Sequence, residues 1–145
     1  MVDSNTVRVA VWGVGSHVQR NIIPAFERSS RTQLVAVHTR NEDVLDEVAA
    51  ATGAQRYRGV EAFLSASDVD AVYIAAPTGL HADMGFEAIG AGKHVWCEKP
   101  MTVTLLQSEQ MVDAARSAGL VALESDMFLH HPQFLELQRL VASEE

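Results

Sequence analysis

Cysteine is nearly missing: Cys97 is the only one in 145 residues. No intrachain disulfide can form, and a reducing compartment fits. Positive charge is scarce, with 11 Lys and Arg against 19 Asp and Glu and a formal net charge of −8. No basic cluster stands out, so nucleic acid is not an expected partner. Aromatics are only 6% of a chain that is 48% hydrophobic. The core must therefore be aliphatic and alanine-rich, which suits an α/β protein and not a disordered one. No apolar run is long enough to span a bilayer. The opening stretch MVDSNTVRVAVWG lacks the charged and apolar regions of a signal peptide. Repeats, low-complexity segments and dividing linkers are absent as well. The expectation is one cytoplasmic domain without a membrane partner.

What the chain does have is alternation. Val7–Trp12 reads as a first strand and Ser16–Arg28 as a helix with apolar Val18, Ile22, Ile23 and Phe26. Pro24 should kink or split that helix. Leu34–His38 is a second strand, and Asn41 caps a helix that runs to Gly53. A weak strand at Gln55–Tyr57 and a short helix at Glu61–Ser65 follow. Ala71–Ala76 is an unbroken apolar strand. A helix from Thr78 to about Ala88, a strand at His94–Cys97, a capping box at Thr104–Gln107 with its helix, and a strand at Leu120–Leu123 continue the series. Pro132 opens a last helix with Phe134, Leu137, Leu140 and Val141 on one face. Repeated β-α units with apolar strands predict a doubly wound parallel sheet.

Four junctions carry candidate chemistry. Gly13–Val14–Gly15–Ser16–His17–Val18 follows the first strand and opens the first helix. Its first glycine permits a tight turn. Its second lets the backbone approach a pyrophosphate held at a helix N-terminus. Val18 stands where the dinucleotide fingerprint has a third glycine. At the end of the second strand, where NAD sites place an acid, the chain reads His38–Thr39–Arg40–Asn41. Thr39 and Arg40 suit a ribose 2′-phosphate, which favours NADP over NAD, whereas a solvated Arg40 beside a helix cap is the plain alternative. Ala76–Pro77–Thr78 is a small-residue turn whose amides can approach a cofactor, with His81 one turn further on. Glu98–Lys99–Pro100 ends the buried run Val95–Trp96–Cys97. Lys99 there can donate to a substrate hydroxyl or polarise a carbonyl, and Glu98 can orient the lysine or a ribose. A surface ion pair closing a strand is the competing reading. A cis Lys99–Pro100 bond is compatible with the turn. Adjacent His130–His131 lacks the spacing of a metal site, so no metal is expected. Cys97 reads as a small buried hydrophobe.

The stretches GVGSHVQRNIIPAF, VDAVYIAAPTGLHADMGFEAIGAGKHVWCEKPMTVT and FLHHPQF resemble the N-terminal half of the Gfo/Idh/MocA oxidoreductases. The likeness runs in order over nearly the whole chain and is most specific from Gly92 to Pro100. It implies a Rossmann domain in which Gly13, Gly15 and Ser16 hold the pyrophosphate, with His17 also among the cofactor-binding residues. Thr39 and Arg40 would take the adenosine ribose or its phosphate, and Ala76, Pro77, Thr78, His81 and Glu98 would line the cleft. Lys99 would be the catalytic lysine beside the nicotinamide, serving hydride transfer to or from a sugar-like alcohol carbon.

Members of that family run about twice this length and carry a second, substrate-binding domain, so the resemblance implies that this domain is absent here. The expected division is residues 1–125 as the NAD(P)-binding domain and 126–145 as a helix crossing toward the absent part. A sugar-like small molecule would be a partner once that part is supplied. Turnover by the chain alone is expected to be small. The alternative is a non-catalytic nucleotide-sensing or interaction module. Apolar surface around the sixth strand and last helix is expected to be exposed, and a homo-oligomer remains open.

Overall fold

The computed structural model describes residues 6–143. Met1–Asn5 and Glu144–Glu145, and with them the outer limits of both expected segments, lie outside the described residues. The strands are β1 (Val7–Trp12), β2 (Thr32–His38), β3 (Gln55–Arg56), β4 (Ala71–Ile74), β5 (His94–Glu98) and β6 (Ala122–Ser125). The helices are α1 (Ile23–Arg28), α2 (Glu42–Thr52), α3 (Val60–Leu64), α4 (His81–Gly90), α5 (Leu105–Ser117) and α6 (Pro132–Ala142). The strands form one sheet in the order β3-β2-β1-β4-β5-β6, with every neighbouring pair parallel. The doubly wound α/β expectation holds.

Side-chain alternation explains why both faces need cover. On one face Val9, Val11, Val37 and Tyr73 pack with Leu45, Val48 and Phe26 from α1 and α2. On the other, Ala10, Trp12, Val72, Ile74 and Val95 pack with Phe63, Ala88 and Met111 from α3, α4 and α5. β4 is buried along its whole length, as a central parallel strand must be. The caps follow from the sequence. Asn41 accepts from the Asp43 and Val44 amides, and Gly53 closes α2 at φ +74°. Thr104 and Gln107 form both halves of the capping box on α5.

Helix runs from Ser16 to Arg28 as expected, and Pro24 disturbs it by widening it: Val18–Ile22 forms a π-turn in which the Ile23 amide reaches back to the Val18 carbonyl. That register relieves the proline, which has no N–H and whose ring would strike the Arg20 carbonyl in an α-helix. β4 stops at Ile74: the Ala75 amide makes the last bond to β1, to the Trp12 carbonyl at 2.9 Å, and the chain then turns. β6 starts two residues later than expected. Gly119 adopts φ +69° and the Leu120 amide returns to the Ala115 carbonyl, so Leu120 finishes α5 instead of starting a strand.

Residues beyond β6 pack little. No residue of α6 is buried, and Leu123, Met127, Phe128, Leu137 and Val141 are exposed, as the sequence reading anticipated for this region. No helix of the described residues is long and apolar enough to cross a membrane.

Candidate functional site

The strand order places β1 beside β4, and the chain runs outward from that pair in both directions. Crossover connections diverge at such a switch point and leave a crevice at the carboxyl ends of the strands. Two pockets meet there. One, of about 250 Å³, is lined by Trp12, Gly13, Thr39, Arg40, Pro77 and Leu80, among others. The other, of about 330 Å³, is lined by His17, Thr78, His81, Glu98 and Lys99, among others. Gly15, Ala75 and Ala76 border both. Of the expected site residues only Ser16 is outside the two linings, and it directly follows Gly15. A separate groove of about 400 Å³ lies by the opposite ends of the strands, against Phe26, Ser29 and Thr32, and holds none of them.

The two glycines have different reasons to be there. Gly13 has φ +96°, and a Cβ on it would stand 2.7 Å from the Ala75 carbonyl oxygen. The protein itself demands glycine at that point, because the β1 loop crosses the end of β4. At Gly15 an added Cβ would meet nothing within 4 Å. Nothing in the chain fills that space, so it is open for close approach by a ligand to the backbone. This fits a dinucleotide pyrophosphate laid across the junction of the two lobes.

In the first lobe Thr39 and Arg40 follow β2 directly. Neither side chain makes a hydrogen bond or ion pair among the described residues. The nearest following acid, Glu42, is turned to Arg58 at 3.3 Å. His38, under the lobe, is buried with Nδ1 2.7 Å from the Tyr57 carbonyl oxygen, against Trp12 and Phe63.

The second lobe is organised around Glu98, which is 8% exposed. Its Oε1 accepts from the Tyr73 hydroxyl and lies 3.2 Å from His17 Nε2. Asn21 donates to His17 Nδ1 at 3.1 Å, which leaves Nε2–H to donate to Glu98. Glu98 Oε2 accepts from the Lys99 amide at 3.1 Å. Burial first, and the Glu98 hydrogen bond second, push the Tyr73 phenol above its ordinary range, so it remains a donor. Lys99 is exposed, and its ammonium makes no hydrogen bond or ion pair among the described residues. The Glu98–Lys99 side-chain pair weighed from sequence does not form: Glu98 turns inward, and only the lysine reaches outward.

His81 is 1% exposed. Its Nε2 lies 2.7 Å from the Ala76 carbonyl oxygen and its Nδ1 3.1 Å from that of Pro100. The ring thus lies between the turns after β4 and β5, and the nitrogen that carries the proton donates to its carbonyl. Cys97 is fully buried, and burial pushes its thiol up to about 12. It is a packed hydrophobe, as read from sequence. Tyr73 and Glu124 were not singled out from sequence. A buried tyrosine needs a partner for its hydroxyl, which was the available signal in the run AVYIAA. Glu124 lay beyond the expected end of its strand.

A family model described as an oxidoreductase family with an NAD-binding Rossmann fold matches residues 7–125. The dTDP-3,4-didehydro-2,6-dideoxy-alpha-D-glucose 3-reductase of Actinomadura kijaniata is 39% identical over 131 residues, covering 90% of this chain and 40% of that protein. The D-xylose 1-dehydrogenase (NADP(+)) 2 of Haloferax volcanii is 36% identical over 129 residues, covering 86% of this chain and 38% of that protein. Among solved structures, a 3-ketoreductase from Actinomadura kijaniata in complex with TDP-benzene and NADP matches with a TM-score of 0.89 at 37% identity, covering 96% of this chain and 44% of that one. The chain spans about 40% of the length of the curated relatives it matches.

Proposed function

The chain belongs to the Gfo/Idh/MocA oxidoreductase family, and from that premise we propose that it is a dinucleotide-binding domain that prefers NADP over NAD and serves oxidoreduction of a sugar-like substrate. The observation that carries the reading is the two-lobed crevice whose lobes join at Gly15, where the fold leaves room that it does not use itself.

Each lobe has a task. Gly13, Gly15, Ser16 and His17 offer backbone and side-chain donors to the pyrophosphate at the start of the first helix. Thr39 and Arg40 bind the 2′-phosphate, Arg40 by a bidentate fork. Ala76, Pro77 and Thr78 form the floor beneath the joined lobes, with His81 bracing them. When bound, the nicotinamide exchanges a hydride with an alcohol or carbonyl carbon of the substrate. Lys99, the unpartnered cation at the rim, donates to the substrate oxygen and steadies the charge that develops there. Glu98 holds the Lys99 amide from below. NADP and TDP-sugar chemistry in the names of the relatives supports the cofactor and a sugar or sugar-nucleotide substrate. Residues 1–125 then form the binding unit, and 126–145 a crossover toward further chain that supplies the rest of the substrate site.

The test is paired titration with NADPH and NADH, followed by the fluorescence of Trp12, which lines the first lobe, and of Trp96, which packs on Tyr73. NADPH should bind tighter. Arg40→Ala should weaken NADPH by about 10- to 100-fold, the value of one or two hydrogen bonds to a charged group, and leave NADH unchanged. Tighter NADH binding would overturn the 2′-phosphate reading, and binding of neither would overturn the function.

A further inference from the structure

The lysine at the rim sits on a short loop, Lys99–Pro100–Met101, and a four-carbon side chain has no fixed position of its own. Its placement depends on the main chain beneath it. That main chain is held at successive points. The Lys99 amide donates to Glu98. The Pro100 carbonyl faces His81 Nδ1 at 3.1 Å. The Met101 amide donates to Glu124 Oε1 at 2.6 Å, and the Met101 carbonyl accepts from the Cys97 thiol at 3.4 Å. Glu98 and Cys97 belong to the strand that carries the loop, whereas His81 comes from α4 and Glu124 from β6.

Glu124 is the unexpected member. It lies on the edge strand, in register with Cys97, and is exposed. A carboxylate there is fully solvated without any partner, and the sheet does not need it. It instead reaches a backbone amide of the neighbouring loop in a short, charge-assisted bond. We infer that Glu124 is a positioning residue for Lys99: by gripping the Met101 amide from β6, opposite the His81 ring from α4, it fixes the loop so that the lysine faces the second lobe. This rests on the reading of Lys99 given above.

The chain contains only two lysines, Lys93 and Lys99. Lys93 is 8% exposed, and its ammonium donates to the Ala66 and Val69 carbonyls at 2.7 and 2.9 Å. Amine-selective labelling, read by peptide mass spectrometry, therefore reports Lys99, and an unlabelled Lys93 certifies that the variant is folded. The unsubstituted chain should be labelled slowly at Lys99 under saturating NADP⁺, while 2′,5′-ADP, which fills only the first lobe, should give no protection. In Glu124→Ala, with saturation by NADP⁺ confirmed by fluorescence, protection should fall about tenfold, the population shift from losing one hydrogen bond to a charged acceptor. Glu124→Gln, whose amide oxygen still accepts from Met101, should retain it. Glu124→Ser, too short to reach, is the second truncation should the alanine variant label at Lys93. Equal protection in the truncated and unsubstituted chains would overturn the inference, as would equal loss in the glutamine and alanine variants. No protection in the unsubstituted chain would overturn the Lys99 reading itself, and this inference with it.

Discussion

The contrast between Gly13 and Gly15 yields two substitutions with opposite expected phenotypes. An alanine at Gly13 must adopt φ near +96° with its Cβ 2.7 Å from one backbone oxygen and 2.9 Å from the adjoining carbon. The left-handed conformation costs about 1–2 kcal/mol. Displacing the rigid end of β4 adds a further ~1–3 kcal/mol, as overpacking does elsewhere. The sum, about 3 kcal/mol, corresponds to a fall in Tm of about 10 °C for a domain of this size. Gly15→Ala meets no atom within 4 Å. It should melt within about 3 °C of the unsubstituted chain, with a slight gain if anything, because alanine narrows the unfolded ensemble. Its methyl group nevertheless occupies the space assigned to the pyrophosphate. Retreat of the phosphate from one or two backbone donors should weaken NADPH by about 10- to 100-fold. Thermal unfolding and fluorescence titration of both variants measure the two effects separately. Gly15→Ala binding NADPH as tightly as the unsubstituted chain would refute the placement of the dinucleotide. Gly13→Ala melting without a shift would refute the argument that the crossing of β1 and β4 is what requires glycine.

Two further outcomes follow from the burial pattern. Burial raises the Cys97 thiol from 9.0 to about 12, and raises the Tyr73 phenol from 10.0 in the same direction. The folded chain therefore keeps protons that the unfolded chain releases. Their contribution to stability is whole below about pH 9 and declines as pH rises through the range above it, by about 1.4 kcal/mol per pH unit for each group. Urea unfolding along an alkaline series measures the decline, and Cys97→Ala should flatten its first part; an unflattened curve would remove the thiol from the account. Separately, the amides of α6 should exchange hydrogen orders of magnitude faster than those of β4, since no α6 residue is buried and β4 is wholly so. Exchange mass spectrometry of residues 132–142 checks this, and protection equal to that of β4 would mean that α6 has a packing partner within the chain.

Local signals made most of the fold legible. Asn41, Gly53 and the Thr104–Gln107 box each specify a helix end through contacts within a few residues, and all three are realised. The apolar run at β4 announces a central strand. The strand order was not legible, because neighbours in a parallel sheet are chosen by crossover connections and not by residues near the strand. The start of β6 was misplaced for a related reason. Leu120 is as apolar as a strand residue, but its amide is taken by the Ala115 carbonyl at the end of α5. At the site, the glycine loop and the Glu98–Lys99–Pro100 turn were visible as motifs. The direction of each side chain was not. Whether Glu98 pairs with its neighbour or turns inward depends on Tyr73, twenty-five positions away along the chain.

That dependence separates the crevice residues into two groups. Glu98 and Tyr73 have their polar atoms engaged by the protein, His81 faces a backbone carbonyl with each ring nitrogen, and all three are buried. Desolvated groups of this kind are costly to leave without partners, so the fold must satisfy them whether or not a ligand is present. Arg40 and Lys99 are exposed, Thr39 is half-buried, and their side chains make no hydrogen bond or ion pair among the described residues. Water satisfies them at little cost, and a phosphate or a substrate oxygen can replace that water. The engaged groups therefore hold the shape of the crevice, and the unengaged groups are the ones left free to take a partner from a ligand. Substitutions in the first group should register in stability and ligand geometry together, and Arg40 or Lys99 substitutions in ligand behaviour alone.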